Sequence, residues 1–143
     1  MSDERTLHVE VVTPDGEVYN SDVAMVVLPG VDGELGVLPR HQPLVTLLAI
    51  GETRIRRTTD AWDYIATGIG YAQVLFDKVL VVVDHGELAG AIDVARAEEA
   101  HARAKDRMKE SGDLGAQAEV DYFRAEQALK RAENRLNVSR RAH

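Results

Sequence analysis

The chain has 143 residues, a formal net charge of −7 and 45% hydrophobic side chains, enough for one modest core or a small core with an appendage. It has no cysteine, which excludes disulfides and thiolate metal sites and fits a reducing compartment. The acidic balance, without an aromatic-basic surface pattern, argues against nucleic-acid binding.

The start Met1-Ser2-Asp3-Glu4-Arg5 is polar and lacks the apolar core of a signal peptide. No apolar run approaches the ~20 residues needed to span a bilayer. A soluble protein with no membrane insertion of its own is expected, one that a partner can hold at a membrane.

The first ninety residues alternate in twos. Leu7, Val9 and Val11 share one face of a strand, and Pro14-Asp15-Gly16-Glu17 makes a turn. Val23 to Leu28 reads as a buried strand closed by Pro29-Gly30, and the glycine-rich Asp32–Gly36 reads as a loop. Further strands are predicted at Leu44–Ala49, Thr53–Arg57, Trp62–Ala66, Tyr71–Leu75 and Val79–Val83. Short strands at this spacing, with no helical period between them, favour an antiparallel β-sandwich or barrel over residues 1–87. Gly86-Glu87-Leu88-Ala89-Gly90 reads as a linker, with glycine freedom suited to a hinge.

Residues 88–143 change period and form a second unit, an antiparallel two-helix hairpin. Asp93 is placed to cap a helix from Val94 to Glu110, with Glu98 and Glu99 expected in its first turn and Lys105, Arg107 and Lys109 near its end. Ser111-Gly112-Asp113 makes the connection, and a second helix runs from Leu114 to Ser139. Its heptad seam is Ala118, Tyr122, Ala125, Leu129, Ala132 and Leu136; the first helix answers with Val94, Ala97, His101, Ala104 and Met108. An alanine seam allows close approach but buries little apolar area, which suits a tail that docks and re-docks. Charge divides along the same boundary. Residues 1–87 carry 6 basic against 14 acidic side chains, whereas from Arg124 onward 6 basic residues meet 2 acidic ones. A basic end on an acidic body points to an anionic partner, a protein or a phosphate.

Three blocks resemble one family in order and spacing: Gly33-Glu34-Leu35-Gly36-Val37-Leu38-Pro39-Arg40-His41-Gln42-Pro43-Leu44, Ile92-Asp93-Val94-Ala95-Arg96-Ala97, and Ala128-Leu129-Lys130-Arg131-Ala132-Glu133-Asn134-Arg135-Leu136. The family is the epsilon subunit of the bacterial and chloroplast F-type ATP synthase. Departures from its pattern are Arg40 and Gln42 around His41, and Thr67-Gly68-Ile69-Gly70 in place of a Gly-Gly turn. The resemblance implies a non-catalytic rotor subunit of a proton-translocating enzyme, peripheral on the cytoplasmic face of the bacterial inner membrane. Its sandwich would sit against the gamma subunit and the c-ring, with Glu34 facing the ring and His41 facing gamma. The tail would fold beside the sandwich or extend into the catalytic head and block ATP hydrolysis. Arg124, Lys130, Arg131, Arg135, Arg140 and Arg141 would then approach an acidic segment of a beta subunit.

The resemblance also implies ATP as a regulatory ligand of the folded hairpin, not a required cofactor. The matching residues are Glu87, Ile92, Asp93, Arg96, Ala97, Arg103, Arg131 and Arg135. Arginines four or seven apart share a helix face, and guanidinium groups brought together from two helices repel unless an anion lies between them. Asp93 would accept a bond from the adenine amino group, with Ile92 and Ala97 in apolar contact.

Enzyme signatures are lacking. There is no phosphate-binding Gly-x-x-x-x-Gly-Lys-[Ser/Thr] loop, no Gly-x-Ser-x-Gly elbow, and Gly68-Ile69-Gly70 lacks the third glycine of a dinucleotide fingerprint. The five histidines show no metal-ligand spacing, which leaves only a two-His-one-carboxylate set of His41 with Asp84-His85 to consider, and no metal site is expected. The alternative from another class is a free-standing β-sandwich and coiled-coil adaptor of some other complex.

Overall fold

The computed structural model describes residues 5–110 and 115–142. Strand β1 (Leu7–Thr13) buries Leu7, Val9 and Val11 completely, as its alternation requires. A two-residue turn at Pro14-Asp15 returns the chain as β2 (Gly16–Val23), a strand that the periodicity did not predict. Its residues are mostly polar and it lies at the end of the sheet, so its place comes from main-chain pairing with β1 rather than from an apolar stripe. The expected run at Val23–Leu28 is split between the end of β2 and β3 (Met25–Gly30).

The glycine-rich stretch expected as a loop is instead β4 (Gly33–Val37), hairpinned onto β3. Gly33 turns the hairpin with φ of 127°, and a Cβ on Gly30 would stand 2.7 Å from the Gly33 carbonyl oxygen. The glycines serve close backbone approach, while Leu35 and Val37 still reach the core.

The next five strands lie where expected, within a few residues: β5 (His41–Leu48), β6 (Gly51–Arg56), β7 (Trp62–Thr67), β8 (Gly70–Phe76) and β9 (Lys78–Val83). The presumed linker is a further strand, β10 (Gly86–Leu88), paired with Ile65–Thr67 of β7. Gly86 is wedged so that a Cβ would lie 3.3 Å from methyls of Thr13 and Val18, whereas a Cβ on Gly90 would meet nothing within 4 Å. A 3₁₀ turn at Ala89–Ala91 then leads to the tail.

The sheet runs β10-β7-β6-β3-β5-β8-β9-β1-β2, with β4 beside β3. Its described pairings are antiparallel, as expected, except β1 with β9, which is parallel. The first and ninth strands are separated by the rest of the sheet in sequence, which supplies the long crossover that parallel neighbours need. The two ends of the path meet across the sandwich. The Tyr19 hydroxyl of β2 donates to Asp63 of β7 at 2.7 Å, and Arg57 Nε stands 3.3 Å from the same carboxylate. Valine, leucine and isoleucine from both layers fill the core, among them Val26, Leu28, Leu48, Ile55, Ile65 and Val74.

Helix α1 (Val94–Glu110) has the predicted bounds, and Asp93 caps it: its Oδ1 accepts the Arg96 N–H at 3.1 Å. The first turn contains no acid, since Glu98 and Glu99 fall just beyond it, while Arg107 and Lys109 do occupy the last turn. Helix α2 (Ala116–Ser139) ends in a 3₁₀ turn at Arg140–Ala142. The expected connection at Ser111–Asp113, and Leu114, lie outside the described residues. Ala97 and Ala104 of α1 and Ala125 and Ala132 of α2 are buried in the seam. Val94 and Tyr122, expected there, are 39% and 42% exposed. A tyrosine ring does not fit a gap set by alanines.

Candidate functional site

The tail lies folded against the sandwich. Ile92, just before α1, packs with Ala66 of β7 and with Val138 near the end of α2, so both roots of the hairpin rest on one apolar spot. Asn134, one turn before Val138, donates its side-chain amide to the carbonyls of Gly51 (2.8 Å) and Thr67 (3.4 Å). One turn beyond, Arg141 grips Glu52 with two bonds, Nε at 3.0 Å and Nη2 at 3.1 Å, and sits 4.8 Å above the Tyr64 ring. The Glu52 hydrogen bond holds that guanidinium protonated above its already high ordinary pKa.

Between the hairpin and the sandwich is a cavity of about 500 Å³. Arg96 and Arg103 reach it from α1, seven residues apart, and Arg131 and Arg135 from α2, four apart. Glu87 of β10 and Glu99 of α1 also line it, so four guanidinium groups face two carboxylates. Arg135 Nη2 donates to Glu87 at 3.3 Å. Its Nε lies 3.1 Å from the other carboxylate oxygen but is not aligned on it, and that buried N–H has no acceptor among the described residues. No ion pair forms between Glu99 and Arg103 among the described residues, unlike Lys130 and Glu126 at 3.6 Å. A cationic wall with an unsatisfied donor, and with arginines that have no ion pair among the described residues, is chemically suited to a polyanion.

Of the residues singled out for a nucleotide, Glu87, Arg96, Arg103, Arg131 and Arg135 thus meet in one cavity. Ile92, Asp93 and Ala97 are not on its wall: Ile92 is 8% exposed in the docking spot, Asp93 caps α1, and Ala97 is buried between the helices. The sequence reasoning missed His85, Asn134, Thr67 and Gly68 as parts of the wall. Asn134 lies inside the third quoted block, on a mostly polar turn where nothing in the local pattern marks it out.

The residues singled out for partners are dispersed. Glu34 is on β4, 66% exposed, in an ion pair with Arg54 at 2.6 Å. His41 opens β5, its Nδ1 2.7 Å from the Gln42 carbonyl oxygen. Arg124 is exposed near the far end of the hairpin, beside a groove that also involves Arg107 and Phe123. Arg140 donates to Asn137 at 2.9 Å, and Arg141 is held by Glu52 as described. Among the described residues no three His, Asp or Glu side chains converge as metal ligands, so His41 and Asp84-His85 do not come together.

Comparison with known proteins covers both units. The family described as ATP synthase, Delta/Epsilon chain, beta-sandwich domain matches residues 6–89, and the one described as ATP synthase, Delta/Epsilon chain, long alpha-helix domain matches residues 91–140. The chain is 45% identical over 136 residues to the ATP synthase epsilon chain of Halalkalibacterium halodurans, covering 95% of this chain and 98% of that one. It is 44% identical over 135 residues to that of Bacillus mycoides, covering 94% and 97%. Its fold is similar to a chain of the Euglena gracilis mitochondrial ATP synthase OSCP/F1/c-ring structure, with TM-score 0.76 and 20% identity over 100% of this chain and 87% of that one. It is also similar to a chain of the Tetrahymena thermophila mitochondrial ATP synthase central stalk and c-ring, with TM-score 0.61 and 14% identity, covering 96% and 99%.

Proposed function

The chain belongs to the delta/epsilon family of ATP synthase subunits as an epsilon chain, and on that premise we propose that it is a non-catalytic stalk subunit whose folded tail binds ATP. The observation that carries the ligand is the arginine-lined cavity. Arg96, Arg103, Arg131 and Arg135 hold the triphosphate, and Glu87 orients Arg135.

Arginines come to the cavity from both helices, so bound ATP favours the folded tail over an extended one by mass action. Regulation follows: with ATP plentiful the tail stays beside the sandwich, and with ATP scarce it extends and inhibits ATP hydrolysis. In the assembled proton-translocating enzyme the sandwich contacts the gamma subunit and the c-ring, with Glu34 and His41 at those contacts. Arg124, Lys130, Arg140 and Arg141 meet the beta subunit when the tail extends. Support for a docked sandwich comes from its outer face, where Val45 and Leu47 of β5 and Tyr71 and Leu75 of β8 are 41–68% exposed side by side. No described helix is long and apolar enough to cross a membrane, which accords with peripheral attachment on the cytoplasmic face through these partners.

Calorimetric titration of the full chain with ATP tests the site, and absence of heat at millimolar ATP refutes it. Regulation is tested by ATPase rates of the complete enzyme with and without residues 88–143. Equal rates in the two enzymes at low ATP would remove the inhibitory role.

A further inference from the structure

We propose that Glu52 is an internal decoy for the tail's basic end: it occupies Arg141 while the tail is folded, so that docking and engagement of an acidic protein partner are mutually exclusive. The inference rests on the reading of the tail as movable, and adds the latch that sets its position.

The geometry singles out this pair. Lys130 and Arg140 have partners one turn away on their own helix, Glu126 at 3.6 Å and Asn137 at 2.9 Å, and would carry those contacts with them wherever the helix goes. Arg141 instead binds a residue 89 positions away, with both carboxylate oxygens engaged and an aromatic ring beneath the guanidinium. Glu52 is only 20% exposed, so the pair is less screened than an ordinary surface ion pair. The flat guanidinium satisfies the carboxylate with two parallel bonds and the ring with its face, a combination that lysine cannot reproduce.

Its position matters as much as its strength. The start of α1 is tied to the sheet by the short connection from β10, so the tail must part from the sandwich at the α2 end. There, beside the Arg135–Glu87 pair, Asn134, Val138 and Arg141 make contacts one turn apart along one face. Arg141 is the outermost of the three and the most exposed, at 47%, and is therefore first to open. An acidic segment of a partner offers the chemistry that Glu52 already supplies, and can take Arg141 over as α2 leaves.

The absence of cysteine allows Thr59→Cys and Val120→Cys, both at exposed positions, to carry a fluorophore pair in the full chain. Energy transfer is followed through a urea series below the unfolding of the sandwich. Emission of Trp62, the single tryptophan, gives a second readout because it stacks on Tyr64 with ring centroids 6.4 Å apart. Glu52→Gln and Arg141→Gln should each lower the docked-to-released ratio about five-fold, and Glu52→Arg with Arg141→Glu should recover most of that loss. Binding of a decaglutamate peptide at low salt tests the decoy itself: Glu52→Gln should bind about five-fold tighter than the unmodified chain, and Arg141→Gln should lose that gain. Unchanged ratios in both variants, in a tail that does release, overturn the latch and leave the movable tail standing. Equal peptide affinity in Glu52→Gln despite greater release overturns the decoy. A tail that never parts from the sandwich before the sheet unfolds, in any variant, overturns both the inference and the movable tail.

Discussion

The side-chain amide of Asn134 donates to the main-chain carbonyl of Gly51 at 2.8 Å across 83 residues of sequence. The same carbonyl accepts the Thr67 hydroxyl at 3.3 Å, and Thr67 is itself 2.9 Å from the buried Thr53 hydroxyl. The helix thus completes a polar chain that begins inside the sandwich. Asn134→Ala removes this contact and is expected to weaken docking of the tail by about 1–2 kcal/mol. Hydrogen exchange along α2 should accelerate, while exchange in β1, β8 and β9 stays as it was.

The cavity arginines divide by their partners. Arg96, Arg103 and Arg131 have no ion pair among the described residues, so replacing one by alanine removes attraction for an anion with little structural cost. Each is expected to weaken ATP binding about ten-fold in calorimetry. Arg135→Ala should do the same and also loosen the tail, because it leaves Glu87 without its partner. ATP at a hundred times its Kd should stabilise the folded tail by about 2.7 kcal/mol, and added salt should erode that effect.

A pH dependence is expected from the outer strands. His8 Nδ1 lies 2.7 Å from Asp22, and Nε2 lies 3.6 Å from Glu10. The Asp22 hydrogen bond, partly opposed by desolvation, raises the imidazole above its ordinary 6.5. Folding therefore tightens proton binding. The contribution to stability is complete below about pH 6.5 and is lost as pH rises through the elevated folded value. Urea midpoints of the sandwich should fall across this window in the unmodified chain and less so in His8→Gln. The pair is exposed enough that salt should shrink the difference.

Tyr19 supplies the opposite end of the scale. Burial first, then its bond to the Asp63 carboxylate, pushes its phenol well above the ordinary 10.0. Below about pH 10 the contribution of the neutral phenol is intact, and it is lost above as the unfolded chain ionises first. Tyr19 should give a late step in an alkaline absorbance titration, above the ordinary phenol range. Tyr19→Phe should remove that late step and cost about 1 kcal/mol in urea unfolding.

What was legible in the sequence followed from periodicity. Strands with an apolar face and helices with an alanine stripe were found because burial repeats along them. β2, β4 and β10 were not, since polar residues and glycines interrupt the few core-facing side chains and main-chain pairing sets their place. Residues 134, 138 and 141 form a second stripe at helical spacing, but two of the three are polar and the partner surface is folded from distant strands. A hydrophobic count cannot register such a stripe. The arginine cavity was legible in part, as spacing put each pair on one helix face, while the contribution of Asn134 and His85 depended on how the hairpin came to rest. Tyr122 failed for a reason of size, which a heptad pattern does not carry.

The parallel pairing of β1 with β9 also orders events during synthesis. Val9 can meet Val79 only after seventy further residues have been made, so the sheet cannot be completed while the chain is still short. The tail is made after the sandwich, and its contacts with Gly51, Glu52 and Ala66 all fall on strands that precede it in the chain. The long-range pairing that slows folding thus lies in the sandwich, while the hairpin's two helices pair with each other across a short connection.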